Sequence, residues 1–314
     1  MPSSSPPSRR KDLQQVLEYS AVRALALLMR ILGTDRASAM MGWVWQTVGP
    51  RTRRQERVIR NLQNAFPDYS ATEIASIARL QWNNLGRTFA ESFLIDRFIG
   101  EPGRFSVSDS ALIDRIAETG KGFVVVGLHS GNWELACAPF AQSYMLTGMY
   151  QKLSNSRVDG YVRRLREQVF RGGLLAKSRA TPKYAMQVVR DGGVIAMLAD
   201  QRERKGVDVQ FFDQASLANP FPSMIARRLN VPLIAGRAVR LDGATFRVDA
   251  LEIKVPHTDD VSEDVKAATQ TVQRQFEDWI REYPGQWMWV QDRWRLGVRR
   301  RRSAGLDKSG ANAN

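Results

Sequence analysis

A chain of 314 residues with 43% hydrophobic side chains can build a substantial core, which excludes a disordered protein. Its 46 Lys and Arg against 32 Asp and Glu leave a formal charge of +14, so its partners are anionic: membrane lipid, phosphorylated glycolipid, nucleic acid or an acidic carrier protein. One cysteine, Cys137, excludes an intramolecular disulfide and a Cys-rich zinc site and suits a reducing compartment; His129 and His257, the only histidines, argue against a multi-histidine metal centre.

Residues 1–12 are rich in Ser and Pro at their start and read as a flexible tail. Leu13 to Leu32 predicts a helix of bilayer-spanning length interrupted by Glu18, Arg23 and Arg30. Three charges make a clean span costly, so the reading is an interfacial helix with snorkelling arginines, with a true span and an ordinary core helix as alternatives. Trp43 and Trp45 suit a headgroup interface, and the five arginines of Arg51 to Arg60 are either a solvated helix face or a contact for anionic headgroups. Ser70 and Glu73 form a capping box, after which Ile74, Ile77, Leu80, Leu85, Phe89 and Phe93 recur at helical spacing. Residues 13–100 are thus expected to form a membrane-facing helical region, followed by an α/β core at 101–296.

A short helix at 108–119 ends at Gly120, and Phe123 to Leu128 is an uncharged, mostly β-branched run, the pattern of a strand buried on both faces. His129 stands at its carboxyl end. Ser130, Gly131 and Asn132 are turn and N-cap residues, and Trp133 to Phe140 is predicted to continue as a helix with Glu134 in its first turn. A neutral imidazole is a competent proton acceptor near pH 7, and a carboxylate behind it fixes the tautomer. The helix N-terminus would favour ionised Glu134, and its N–H groups could steady an oxyanion. The alternative is a histidine satisfying buried backbone groups beside a solvated glutamate.

Tyr150-Gln151-Lys152 and Asn155 follow, then a basic helix in which Arg163, Arg164 and Arg166 either contact phosphates or form an exposed face. Ala180 to Arg190 is a predicted helix and Val194 to Leu198 a second buried strand, ending at Asp200-Gln201-Arg202-Glu203. That is the topological position of His129 on its own strand, so the two polar clusters are expected to converge. Val207, Val209 and Phe211 alternate as a strand; Val231 to Ala235 and Thr245 to Val255 pair through the Asp242-Gly243 hairpin signal. Ser262 is expected to cap a final helix with Val265, Ala268, Val272, Phe276, Trp279 and Ile280 on one face. His257 has no motif partner and receives no role. Residues 297–314, with Arg299 to Arg302, read as a disordered basic tail.

The block HSGNWE after an apolar strand resembles the His-x4-Asp/Glu motif of the glycerolipid acyltransferase superfamily. More narrowly it is similar to the branch that holds the late, lauroyl- or myristoyl-type acyltransferases of lipid A biosynthesis and the phosphatidylinositol mannoside acyltransferases. RNLQNAFPDYS with LGRTFAE, LADQ before GVDVQFF, and EYPGQWMWVQDRWR match further blocks of that branch in order. The chain departs from it where Tyr150-Gln151-Lys152 stands in place of a Tyr-Arg-Pro triplet, leaving Lys152 to supply the positive charge, and where Gln291-Asp292 stands in place of His-Arg.

The resemblance implies a mixed, largely parallel central sheet flanked by helices, and an enzyme that moves a fatty acyl group from an acyl-carrier-protein or coenzyme A thioester to a hydroxyl of a membrane glycolipid or lipid A precursor. It implies His129 as general base and Glu134 as the group that orients it. Asn132, Lys152, Asn155, Arg163, Arg164, Asp200, Gln201 and Glu203 are the substrate-side candidates. Neither metal nor tightly held cofactor is expected, nucleic acid is not an expected partner, and the expected location is the cytoplasmic face of a bacterial inner membrane. The competing readings are a non-catalytic basic protein that binds lipid or nucleic acid, and an acyltransferase acting on an amino- or phospholipid.

Overall fold

A computed structural model describes residues 9–294, in which ten α-helices and nine strands are defined. The basic tail expected at Arg299 to Arg302 lies outside the described residues, as does the tail expected at the N-terminus up to Ser8. Helix α1 (Arg9–Leu32) begins four residues before the predicted start. The three charges of the predicted stretch have protein partners. Arg23 lies over the rings of Tyr19 and Tyr161, Arg30 pairs with Asp96 at 2.6 Å, and Glu18 accepts from Asn155 at 2.9 Å. Glu18 and Arg23 are nevertheless exposed, while Ala26 and Met29 are buried where α1 packs on the helices beneath it. No helix among the described residues is long and apolar enough to cross a membrane.

Helices α2 (Thr34–Val48), α3 (Arg54–Ala65), α4 (Ala71–Glu91) and α5 (Ile95–Gly100) complete the N-terminal layer. The predicted capping box is present: Ser70 Oγ accepts from the Glu73 backbone, and Glu73 Oε2 accepts from the Ser70 backbone at 2.7 Å, worth about 1 kcal/mol. Of the two tryptophans expected at a headgroup interface, only Trp43 is exposed; Trp45 packs on Trp82 and Phe89. All five arginines between Arg51 and Arg60 are exposed.

The core then alternates β1 (Phe105–Val107), α6 (Ser110–Glu118), β2 (Phe123–Gly127), β3 (Leu146–Tyr150), α7 (Ser156–Arg166), β4 (Gly173–Ala176), α8 (Thr181–Arg190), β5 (Val194–Leu198), β6 (Val207–Phe211), β7 (Gln214–Ala218), α9 (Phe221–Leu229), β8 (Leu233–Arg240), β9 (Phe246–Ile253) and α10 (Val261–Glu282). Seven strands form one sheet in the order β1-β9-β8-β2-β5-β3-β4, while β6 and β7 form a separate hairpin. Only the β8–β9 pair of the large sheet is antiparallel, through the predicted hairpin, so the mixed, largely parallel α/β expectation is met. Asp260, not Ser262, caps α10; its carboxylate accepts from the Ser262 and Glu263 backbones at 2.9 and 3.0 Å.

The sheet separates two apolar clusters because β2 is apolar on both faces, as a central parallel strand must be. Val124, Val126 and Leu128 pack with Trp287, Trp289 and α10 on one side, and Phe123 faces Leu146, Val194 and Ile234 on the other. The helix predicted from Trp133 does not form. Asn132 takes the Glu134 N–H on its side chain and the Leu135 N–H on its carbonyl, both at 3.1 Å, which closes a single turn. Pro139, in a short 3-10 turn at Ala138–Phe140, has no N–H with which to extend a helical ladder. Glu134 therefore has no helix dipole behind it.

Candidate active site

Strands β2 and β5 are parallel neighbours, and their register pairs Gly127 with Leu198. Carried two residues past the strand ends, the same register sets His129 opposite Asp200. His129 Nδ1 stands 2.7 Å from Asp200 Oδ1, and the His129 backbone N–H donates to Asp200 Oδ2 at 2.9 Å. A third donor, the Trp287 indole N–H, reaches Asp200 Oδ2 at 2.7 Å. Burial pushes the Asp200 carboxyl up, but the charge of His129 and the bonds from His129 and Trp287 outweigh it and hold the group below the usual carboxylate range. An ionised Asp200 only accepts, so Nδ1 carries a proton whether the ring is charged or neutral, and in the neutral imidazole Nε2 is the basic nitrogen.

The carboxylate against the His129 imidazole is therefore that of Asp200. Glu134 makes no hydrogen bond to His129; its carboxylate accepts from Arg166 Nε at 2.6 Å and from Arg166 Nη2. The physical reason is the missing helix. The single turn at Asn132 aims Glu134 toward the end of α7 rather than back at the strand, and Arg166 meets it there. Arg166 is largely removed from solvent, is paired through Nε and Nη2, and lines the cavity described below, so it is not an exposed helix residue.

The loop that carries His129 is held from three directions. Asn84 and Thr88 of α4 both donate to the Gly131 carbonyl at 2.8 Å. Asn132 donates to fully buried Glu91 at 2.7 Å, and Glu91 also accepts from Ser38 at 2.6 Å and from Arg240 Nη2 at 2.8 Å. Gly131 sits at φ +56°, and a Cβ there would stand 1.8 Å from the Ala238 carbonyl oxygen, so only glycine fits. Asn132, a substrate-side candidate, is fully buried here, with its side chain bonded to Glu91 and to the Glu134 backbone.

Beneath His129 a cavity of about 550 Å³ opens along the sheet face. Gly127, Ala196, Gly236 and Ala250, one from each of four adjacent strands, make its floor shallow-sided, and Phe123, Leu146 and Ile234 keep it apolar. Polar groups gather at one end: His129, Tyr150, Gln201, Arg202 and the Lys177–Glu203 ion pair at 3.0 Å. The volume and the lining, mostly apolar with a few convergent polar groups, are those of a ligand site. Cys137 lines it, its thiol pushed up to about 12 by burial and so not a nucleophile.

The remaining substrate-side candidates divide. Gln201 stands with its side-chain nitrogen 3.4 Å from His129 Nε2, and Glu203 lines the cavity mouth. Lys152, Arg163 and Arg164 are exposed and do not line the cavity, and Arg163 pairs with Glu167. Asn155 caps α7 and donates to the Gln15 carbonyl of α1 at 2.9 Å, a structural task. Sequence reasoning missed Trp287 and the Glu91–Arg240 pair, whose partners lie far along the chain and leave no local signal. The four small residues on adjacent strands are the signal that could have located the cavity.

The profile of the family described as bacterial lipid A biosynthesis acyltransferase matches residues 7–296. Among curated proteins, the phosphatidylinositol mannoside acyltransferase of Mycolicibacterium smegmatis (strain ATCC 700084 / mc(2)155) is 25% identical over 248 residues, covering 76% of this chain and 79% of the relative.

Proposed function

Because the chain belongs to the bacterial lipid A biosynthesis acyltransferase family and is an acyltransferase, we propose that it moves a fatty acyl chain from an acyl-carrier-protein or coenzyme A thioester to a hydroxyl of a membrane glycolipid, a lipid A precursor being the leading acceptor. In this reading His129 Nε2 takes the proton of the acceptor hydroxyl as its oxygen attacks the thioester carbonyl. A C–O bond forms, the tetrahedral intermediate collapses, the C–S bond breaks, and the imidazolium returns its proton to the departing thiolate. Asp200 holds the imidazole in the tautomer that makes this sequence possible. The Glu134–Arg166 pair fixes the cavity wall beside it. The acyl chain lies in the apolar cavity, and the cationic and polar mouth receives the thioester's headgroup or the acceptor.

The observation that carries the reading is the conjunction of an Asp-oriented imidazole at 2.7 Å with an apolar cavity of about 550 Å³ opening at the same histidine. Membrane residence at the cytoplasmic face is part of the proposal. The exposed Leu13, Leu17, Leu27, Leu28 and Ile31 of α1 fall within an arc of about 100° at 3.6 residues per turn. An exposed stripe of that width, in a chain that also exposes Trp43 and five arginines, suits an anionic bilayer surface. Free thiol release from acyl-carrier-protein and coenzyme A thioesters, with a bacterial lipid extract as acceptor and mass analysis of the products, tests it. The expected outcome is thiol release coupled to one new acylated glycolipid. Turnover that acylates a phospholipid and no glycolipid would reject the acceptor class.

A further inference from the structure

We propose that the C-terminal segment Gln286–Met288 is a strap that completes the active site, and that Trp287 is a positioning residue that holds Asp200 against His129. The inference rests on the functional reading above only for its activity assay. The strap runs antiparallel to the His129 loop: Gly131 N–H donates to the Gln286 carbonyl at 3.1 Å, Met288 N–H to the His129 carbonyl at 3.0 Å, and Ser130 pairs with Trp287 between them. From the middle of this ladder the Trp287 side chain turns inward, 3% exposed, and its indole N–H meets Asp200 Oδ2 at 2.7 Å. One three-residue segment therefore grips the base through its backbone and the base's partner through a side chain.

Both flanks of the strap are anchored. Gln286 exchanges side-chain hydrogen bonds with the Arg240 backbone at 2.8 and 2.9 Å, and Asn61 of α3 donates to the Trp289 and Gln291 carbonyls at 2.8 and 2.6 Å. Phe211 and Trp289 close on the Trp287 ring with centroids at 5.8 and 4.5 Å. An Asp200 that lost this donor would keep two bonds, both to His129, with the backbone N–H as the one fixed donor left on Oδ2. A carboxylate held less firmly keeps less of the alignment that sets the imidazole tautomer.

Packing alone would also explain a buried tryptophan, so the test separates the ring from its N–H. Site-specific replacement of Trp287 by 3-benzothienylalanine keeps the bicyclic shape and removes the donor; Trp287→Phe serves as a second variant. Two readouts apply. Thioester turnover is expected to fall about 10- to 100-fold in kcat with KM within about twofold, and the acid limb of the kcat profile to move to higher pH as Asp200 takes up its proton more readily. In histidine-labelled protein, with His257→Gln fixing the assignment between the two histidines, the His129 Nδ1–H resonance is expected to move upfield. The proposal is overturned if the benzothienyl variant keeps wild-type kcat and an unshifted Nδ1–H resonance, even where Trp287→Phe is impaired. If the wild type turns over no thioester, the functional reading fails, and the Nδ1–H resonance still decides whether Trp287 positions the pair.

Discussion

Asp200→Asn changes one atom of the site and separates the two carboxylates that sequence reasoning weighed. The aspartate receives the His129 Nδ1–H at 2.7 Å, the His129 backbone N–H at 2.9 Å and the Trp287 N–H at 2.7 Å. An asparagine can keep one amide oxygen for the backbone and Trp287 donors, but then presents its NH2 to Nδ1. That donor forces the proton onto Nε2, the nitrogen that must act as base. The wrong tautomer costs about 10³- to 10⁴-fold in kcat, or about 4 to 5.5 kcal/mol of barrier. Glu134→Gln, in contrast, weakens the link to Arg166 and leaves the imidazole's partner in place, so its kcat is expected to fall by about 10-fold or less. The assay is thiol release under saturating thioester, with thermal melting as a control for folding. Near-normal turnover in Asp200→Asn together with a dead Glu134→Gln would refute the reasoning and return the orienting role to Glu134.

Three further outcomes are expected. Gly131→Ala sets a Cβ 1.8 Å from the Ala238 carbonyl and also strains a φ of +56°, so it should displace the His129 loop and lower kcat at least as far as Asp200→Asn, read by thiol release beside circular dichroism. Replacing Leu17, Leu27 and Ile31 by serine removes three residues of the exposed α1 stripe without touching Ala26 or Met29, and should release the protein from anionic vesicles at unchanged melting temperature; unaltered sedimentation rejects α1 as the membrane face. Asp200 has a folded-state carboxyl below its ordinary value of 3.8, so its ionised form stabilises the fold above about pH 4 and that contribution disappears as pH falls through the depressed folded value. The stability gap between wild type and Asp200→Asn in urea should therefore be full at pH 7 and narrow below about pH 4; a gap that widens on acidification contradicts the sign.

What the sequence disclosed was whatever is written in local periodicity. The uncharged run before His129 and the second before Asp200 each announced a central strand, and the position of both polar residues at strand ends was enough to expect them together. Ser70 with Glu73 and Asp242 with Gly243 fixed a helix start and a hairpin for the same reason: their partners lie within a few residues. The errors also have local causes. Trp133 to Phe140 has a helix's composition, but the Asn132 side chain competes for the first N–H groups and Pro139 stops any ladder. Other features are not local at all: the partners of Arg23 and Arg30, Tyr161 and Asp96, come from far along the chain. Trp287 meets Asp200 across 87 positions, and Glu134 meets Arg166 across 32. Contacts at such separation are set by the packed fold and have no spacing that a linear reading can detect.

The account's central claim is that His129 is the base of an acyl transfer, and the direct measurement is single-turnover thiol release by wild type and His129→Ala side by side, with glycolipid acceptor and mass detection of the product. Wild-type release accompanied by an acylated glycolipid, with His129→Ala folded and without transfer, is the predicted result. A folded His129→Ala protein that transfers acyl groups at near the wild-type rate would contradict it.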